Sequence, residues 1–173
     1  MCLIIYSENG LIPRRHLRRA LKRNPDGWGV MVHDGERVVV EKGMNRRHFW
    51  RIWRSRPAGP VVFHARIGTH GAQDLTNCHP FPVPNHDLTV AHNGIIGSCA
   101  KAKSELSDTQ HFVQDILAHM PQGFLNCKAH RRLIRNFSGG STRVCMDGAG
   151  TVTRLNENEG RWFKGRWSSQ ESQ

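Results

Sequence analysis

The chemistry that this sequence could perform begins at its second residue. Cys2 follows Met1 and opens an apolar run over residues 3–6, which predicts a buried strand. If Met1 is removed, Cys2 carries both a thiol nucleophile and a free α-amine. An N-terminal nucleophile that uses its own amine as the base is an established catalytic arrangement. A cysteine at position 2 means little alone, so this prediction depends on whether the rest of the chain supplies a site.

Asn93 and Gly94 form a second candidate, because they end a predicted apolar strand abruptly. The Asn side-chain amide and the unhindered Gly N–H could together stabilise an oxyanion. The alternative is an ordinary hairpin turn, for which Asn-Gly is the strongest short signal. Residues 95–98 lack the alternation of a return strand, and this favours the functional interpretation.

Arg66 lies in another predicted apolar strand, where a charged side chain is costly to bury without a partner. A planar guanidinium is suited to bidentate binding of a carboxylate. The pattern therefore indicates an anion site, and the alternative is an Arg on the exposed face of a strand.

Five histidines fall within thirty residues, with Cys78 among them. Such a group raises the question of a metal site. The spacings match no metal-binding motif, so we expect neither a metal nor another cofactor, and structural hydrogen bonds for most of these side chains. The histidines are His64, His70, His79, His86 and His92.

Apolar spacing predicts the elements that must position these residues. Helices are expected after Pro13, after the caps Asn45 and Ser107, and over about residues 125–137. Strands are expected at 2–6, 28–33, 37–41, 61–67, 88–92, 142–146, 151–155 and 162–167, and a long polar loop covers 69–87. Hairpins are expected at Asp34-Gly35 and at 147–150. This order favours an α+β fold in which two antiparallel sheets pack together with helices outside.

Length and composition fit one domain over residues 1–173, with a frayed tail from 168 to 173. No segment approaches the ~18 apolar residues of a membrane span, and no signal peptide is recognisable. The five cysteines are odd in number and irregularly spaced, which favours reduced thiols and a cytoplasmic location, the host cytoplasm if the protein is viral.

The net charge of +11 raises the question of nucleic-acid binding. The basic residues are spread over several predicted amphipathic helices, so we favour solvated helix faces over a nucleic-acid site.

Four separated motifs, and a weaker fifth, resemble those of class II glutamine amidotransferase domains, which are N-terminal nucleophile (Ntn) hydrolases. They occur in the family's order, and the match is similar to the glutaminase domain of glucosamine-6-phosphate synthase and to small stand-alone members, including some found in phages. The motifs are Met1-Cys2, Arg23-Asn24-Pro25-Asp26, Arg66-Ile67-Gly68-Thr69-His70-Gly71 with Asn77-Cys78-His79-Pro80 downstream, His92-Asn93-Gly94-Ile95-Ile96 and Ser107-Asp108-Thr109-Gln110.

The resemblance implies the Ntn hydrolase fold, a four-layer αββα sandwich. It implies that Cys2 is the nucleophile and that Asn93 and Gly94 form the oxyanion hole. Supporting positions would be Arg23, Asn24, Gly27, His79 and His92. Asn24 stands where the family usually has Gly, and Asn tolerates a left-handed backbone better than most residues, so we expect the turn to be kept.

The resemblance also implies how the substrate is held. Arg66 would bind the α-carboxylate of L-glutamine, helped by Thr69 and His70, and Asp108 would bind the α-ammonium. The predicted activity is glutamine hydrolysis through a Cys2 thioester, with ammonia available to a separate acceptor protein. Two alternatives remain open: a non-catalytic protein that kept the fold, with nucleic acid as a candidate ligand, and hydrolysis of a different amide.

Overall fold

Successive side chains of a strand point to opposite faces of its sheet. A continuous apolar run such as residues 3–6 therefore gives the sheet two buried faces. The computed structural model describes residues 1–170, and the predicted arrangement of two antiparallel sheets flanked by helices is confirmed. The strands are β1 (Leu3–Ser7), β2 (Trp28–His33), β3 (Val38–Gly43), β4 (Val61–Ala65), β5 (Phe81–Pro82), β6 (Leu88–Asn93), β7 (Thr142–Asp147), β8 (Val152–Leu155), β9 (Arg161–Phe163) and β10 (Arg166–Ser168). The helices are α1 (Arg14–Arg23), α2 (Arg46–Ser55), α3 (Asp108–Asp115) and α4 (Lys128–Phe137), with short 3₁₀ turns at Gly97–Cys99, Leu117–His119, Phe124–Asn126 and Glu157–Glu159.

The two sheets differ in size and are both antiparallel throughout. The larger sheet has the strand order β3-β2-β4-β1-β10-β9, and the smaller has β5-β6-β7-β8. The strand that follows Cys2, β1, lies inside the larger sheet between β4 and β10. The nucleophile candidate is therefore anchored to two neighbouring strands.

Three apolar clusters build the four layers. In β1, Ile4 and Tyr6 point between the sheets, where they share a cluster with Ala91, Val144 and Met146 of the second sheet. The opposite face of the larger sheet is covered by α1 and α2. The outer face of the smaller sheet is covered by α3, α4 and the turns near them.

Local signals in the sequence are found where they were expected. The Asn45 side chain accepts hydrogen bonds from the N–H groups of Arg47 and His48, and Ser107 accepts one from Gln110. Such caps satisfy N–H groups that the helix itself leaves unpaired. The hairpins between β2 and β3 and between β7 and β8 also form as predicted.

Several boundaries differ from the prediction. Residues 162–167 do not form one strand but fall in the hairpin β9–β10, and a short strand, β5, interrupts the long polar loop. The expected fraying from residue 168 is wrong for residues 168–170. Ser168 ends β10, and the Ser169 N–H donates to the carbonyl of Ile4 over 3.0 Å. Residues 171–173 lie outside the described part of the chain. Within residues 1–170, no helix has the length and apolar character needed to cross a membrane.

Candidate active site

The Cys2 thiol is held at the edge of a recess by the backbone of Ile67. The two lie together because Leu3 pairs with Ala65 across β1 and β4. The Ile67 N–H donates to Cys2 Sγ, and Sγ lies at the same 3.4 Å from the Ile67 carbonyl oxygen. Burial raises the pKa of the Cys2 thiol, while the Ile67 N–H and the positive charge of Arg66 act to lower it. The thiol is therefore held as a protonated group that needs a base.

The turn after α1 is hydrogen-bonded to the segment that contains Arg66 and Gly68. Asp26 Oδ2 accepts from the Gly68 N–H at 2.9 Å, and the Arg66 N–H donates to the carbonyl of Gly27 at 2.8 Å. Gly27 has a φ of +132°, and a side chain there would reach Cys78 Sγ at 2.3 Å. A glycine is thus required at this position by both conformation and space.

Asn24 takes part in this turn without a left-handed backbone, since its φ is −125°. Its buried side chain instead donates to the carbonyl of Ala20, in the last turn of α1, over 3.1 Å. Arg23 is exposed and, with Asn24 and Met1, lines a neighbouring groove rather than the recess.

Arg66 is buried, at 2% exposure, without a carboxylate partner. Its Nη2 donates to the carbonyls of His70 (3.3 Å) and Ala72 (3.1 Å), whereas Nη1 has no hydrogen-bond partner. No ion pair to this guanidinium occurs within residues 1–170. The strand-surface alternative for Arg66 is thereby excluded, and an uncompensated buried charge of this kind indicates a place for an anion.

Asp108 supplies the opposite charge and is likewise buried, at 5% exposure. It is the first residue of α3, and its Oδ2 accepts from the Ile96 N–H at 2.6 Å. The described residues give it no cationic partner. The recess is therefore lined by one buried cation and one buried anion, and neither forms an ion pair within residues 1–170. The positive charge of the buried Arg143, which does not line the recess, acts on Asp108 through space.

Asn93 and Gly94 do not form a hairpin, because β6 pairs with β5 and β7 and the chain turns away after Gly94. Gly94 has a φ of +138°, and a side chain there would meet Ser141 at 2.2 Å. Asn93 is buried, its Nδ2 donates to Ser169 Oγ at 3.0 Å, and its Oδ1 has no partner. Ser169 was not anticipated from the sequence, since it lay in the expected frayed tail.

Three of the five histidines, His64, His79 and His92, are buried together at the recess. The rings of His64 and His79 are stacked with centroids 4.2 Å apart, and His92 Nδ1 is 2.7 Å from Thr109 Oγ1. Burial lowers the pKa of His64 to about 3 and holds the pKa values of His79 and His92 well below the ordinary range. These rings are neutral at physiological pH, and no group of three or more His, Cys, Asp or Glu side chains in residues 1–170 is arranged to hold a metal ion.

The recess brings together residues from five distant parts of the sequence. Of the predicted residues, Asn93 lies beside the recess without lining it, and Gly27 accepts from the Arg66 N–H in the turn. Arg23 and Asn24 line the neighbouring groove. Thr109 and Ser107 line the recess without having been predicted as site residues. The predicted residues that line it are Cys2, Arg66, Thr69, His70, His79, His92, Gly94 and Asp108.

Asn77, the first residue of the Asn-Cys-His-Pro motif, fixes the loop around Arg66. Its Nδ2 donates to the carbonyls of Ala72 (3.1 Å) and Glu105 (2.7 Å), and its Oδ1 accepts from the Ser107 N–H at 2.6 Å. One buried side chain thus ties the Arg66 loop to the start of α3. The Asn-Cys-His-Pro motif marks this segment in the sequence, but it does not predict the hydrogen bonds that Asn77 makes.

Comparison with known proteins places these motifs in one family. A sequence profile described as class-II glutamine amidotransferases matches residues 4–150, beginning just after Cys2. Glutamine–fructose-6-phosphate aminotransferase (isomerizing) of Corynebacterium glutamicum is 47% identical over 104 residues, covering 57% of this chain and 17% of that protein. The protein of the same name in Vibrio cholerae is 27% identical over 145 residues, or 76% of this chain and 23% of that protein. The chain thus spans about a fifth of the length of these relatives.

Two solved structures share the fold at low sequence identity. One is the glutamine phosphoribosylpyrophosphate amidotransferase of B. subtilis complexed with ADP and GMP, with a TM-score of 0.59, 17% identity and coverage of 97% of this chain and 41% of that one. The other is described as the allosteric regulatory enzyme of purine biosynthesis, with a TM-score of 0.68, 15% identity and the same coverage. At this identity the likeness concerns the fold.

Proposed function

The chain belongs to the class-II glutamine amidotransferases, and we propose that it hydrolyses the side-chain amide of L-glutamine through a thioester on Cys2. The observation that carries the proposal is that two buried charged groups, Arg66 and Asp108, line the recess that holds the thiol and form no ion pair within residues 1–170. A free α-amino acid presents one carboxylate and one ammonium near its side chain. It would neutralise both buried charges at once, which few other amides could do.

In the proposed first half-reaction, Cys2 Sγ attacks the side-chain carbonyl carbon of glutamine. The thiol proton passes to the α-amine of Cys2, an amine class that titrates near pH ~8 and is matched to this task. The tetrahedral oxyanion collapses, the C–N bond breaks, and ammonia leaves with the proton returned from the amine. Water then attacks the γ-glutamyl thioester, releasing glutamate and restoring the thiol.

The base in this scheme exists only if Met1 has been removed. Met1 itself is 71% exposed, and the carbonyl of its peptide bond to Cys2 accepts from Gln170 Nε2 at 3.1 Å. The backbone beyond it is held in place, because Gln170 Nε2 donates to the carbonyl of Cys2 at 2.7 Å. We infer that removal of Met1 would free the amine without displacing the strand that carries the nucleophile.

In the proposed oxyanion hole, Asn93 Nδ2 must be free to donate to the oxyanion. Ser169 can free it by hydrogen-bonding to Asn93 Oδ1 instead. Ser169 Oγ accepts from the Ile4 N–H at 2.9 Å and from Asn93 Nδ2, while its own proton has no acceptor in the described chain. Turning the Asn93 amide by half a rotation lets the hydroxyl donate to Oδ1, which is otherwise unpaired. Nδ2 then takes the unpaired position, and we assign Ser169 as the positioning residue for this donor.

Ser169→Ala should therefore lower kcat by about 10- to 100-fold while leaving KM for glutamine nearly unchanged. This decrease in kcat is smaller than the one expected from removing an oxyanion-hole donor itself. Ser169→Thr, which keeps the hydroxyl, should recover most of the rate. Steady-state kinetics measures both values. Ser168→Ala is the matched control, because Ser168 Oγ is buried without a partner and should leave kcat unchanged. Equal kcat values in the two alanine variants would remove the assigned role.

The function as a whole is tested by mass spectrometry of the intact protein after incubation with a glutamine analogue carrying an electrophilic ketone in its side chain. We expect a single adduct, on Cys2, and only on chains that lack Met1. Excess L-glutamine should protect against it. Adduct formation at the exposed Cys127 instead, or on chains that keep Met1, would contradict the proposal.

The released ammonia is proposed to serve an acceptor site outside these 173 residues. The named relatives combine glutamine use with transfer to a sugar phosphate, but the similarity covers only about a fifth of their length. All five cysteines are free thiols, which supports the proposed cytoplasmic location.

A further inference from the structure

Two strongly basic helices share one outer face of the molecule. Both α1 and α2 pack their apolar sides on the larger sheet, where Leu17 and Leu21 join one cluster with Phe49 and Trp53. They also meet directly, since the Arg14 guanidinium carbon lies 4.9 Å from the centre of the Trp50 ring. Residues that are about thirty positions apart in the sequence thus form one continuous surface.

This surface, here called the basic layer, holds nearly all of the excess charge. Of the 25 Lys and Arg in the chain, ten lie in α1 and α2, whereas none of the 14 Asp and Glu does. The other 15 basic residues nearly balance the acids, so the net charge of +11 resides almost wholly in this layer. Its members, all exposed, are Arg14, Arg15, Arg18, Arg19, Lys22, Arg23, Arg46, Arg47, Arg51 and Arg54.

These ten charges have no acidic partner in the part of the chain that the structure describes. Like charges recur at four-residue intervals in α1, an arrangement that destabilises a helix. Burial and the positive charges of Arg166, Arg15 and Arg19 lower the pKa of His16 on the same helix. The layer is therefore an unfavourable arrangement for the isolated protein, and an external polyanion would relieve it.

The chemistry of the layer favours nucleic acid over a protein or a membrane. Nine of the ten residues are Arg, which binds phosphate bidentately. None of the large exposed apolar residues lies in α1 or α2, so the surface lacks the aromatic or aliphatic anchors typical of protein interfaces and of membrane-bound helices. We propose that the basic layer binds the phosphate backbone of nucleic acid without sequence preference.

The test measures the affinity for a labelled duplex DNA of mixed sequence as a function of salt. Arg18→Glu with Arg51→Glu changes one exposed residue in each helix and should weaken binding at least about 10-fold near 0.1 M salt, with a shallower salt dependence. Duplex RNA should bind comparably, because only phosphates are contacted. Both substitutions turn like-charge neighbours into opposite ones, so the variant should fold at least as stably.

The control carries the same charge change elsewhere. Lys128→Glu with Arg132→Glu alters exposed residues of α4 and should change the affinity by less than about threefold. Equal losses in the two double variants, no saturable binding by the wild type, or stronger binding of poly-glutamate than of DNA would each overturn the proposal. Glutaminase activity is assayed in parallel and should be the same in all three proteins, so failure of DNA binding is separable from failure of the proposed catalytic function.

Discussion

Replacing Cys2 with alanine is expected to abolish glutamine hydrolysis, lowering the rate of glutamate release by about 10⁴-fold or more. The reason is that Cys2 carries the one thiol among the described residues that line the recess, and the proposed covalent step cannot proceed without it. A coupled glutamate assay, with ammonia measured independently, gives the rate. The fold should persist, because the hydrogen bonds of Cys2 Sγ within residues 1–170 are two 3.4 Å interactions with the backbone of Ile67.

Two further variants sharpen this result. Cys127→Ser removes an exposed thiol far from the recess and should leave the rate unchanged, which excludes a general requirement for cysteine. Cys2→Ser keeps a hydroxyl in place of the thiol and should also be strongly impaired, since an alcohol is a much weaker nucleophile near neutral pH. Undiminished ammonia release by the Cys2→Ala protein would end the proposal.

Replacing Arg66 with alanine is expected to lower kcat/KM for glutamine by about 10²- to 10³-fold, chiefly through KM, because it removes a desolvated charge from the substrate carboxylate. Arg66→Lys keeps the charge but loses the planar fork, so its loss should be smaller. Steady-state kinetics with glutamine separates the two constants. An unchanged KM for Arg66→Ala would favour the alternative in which the nucleophile acts on a different amide.

Arg66 also donates to the carbonyls of His70 and Ala72, so its removal could disturb the loop. A second measurement separates binding from folding. The wild type should discriminate strongly against 4-aminobutanamide, which is glutamine without its α-carboxylate, and Arg66→Ala should lose most of that discrimination. Retained discrimination by a folded Arg66→Ala protein would show that another group reads the carboxylate.

Much of the architecture follows from local features of the sequence. Asn45 and Ser107 cap helices because their side chains satisfy N–H groups within three residues. The hairpin at Asp34-Gly35 follows from a two-residue turn signal between apolar runs. Such interactions join near neighbours, so their outcome does not depend on the rest of the fold.

The same is true of the motifs that identified the candidate site. Cys2, Arg66, Gly94 and Asp108 were each picked out by residue type and position within a motif, and they line one recess. The sequence contained the chemical groups and their order. Their roles stay predictions until the variants described above are assayed.

Only the tertiary structure decided which groups meet and which remain unpaired. Ser169 reaches Asn93 across 76 positions and Ile4 across 165, and no local pattern reports contacts of that separation. The sequence likewise could not tell that Arg66 and Asp108 are both buried without ionic partners, since pairing depends on what the whole fold brings within reach. The basic residues looked dispersed along the chain, and they became one layer because α1 and α2 cover the same sheet. Composition fixes how much charge a protein carries, but the packing of its elements fixes where that charge is concentrated.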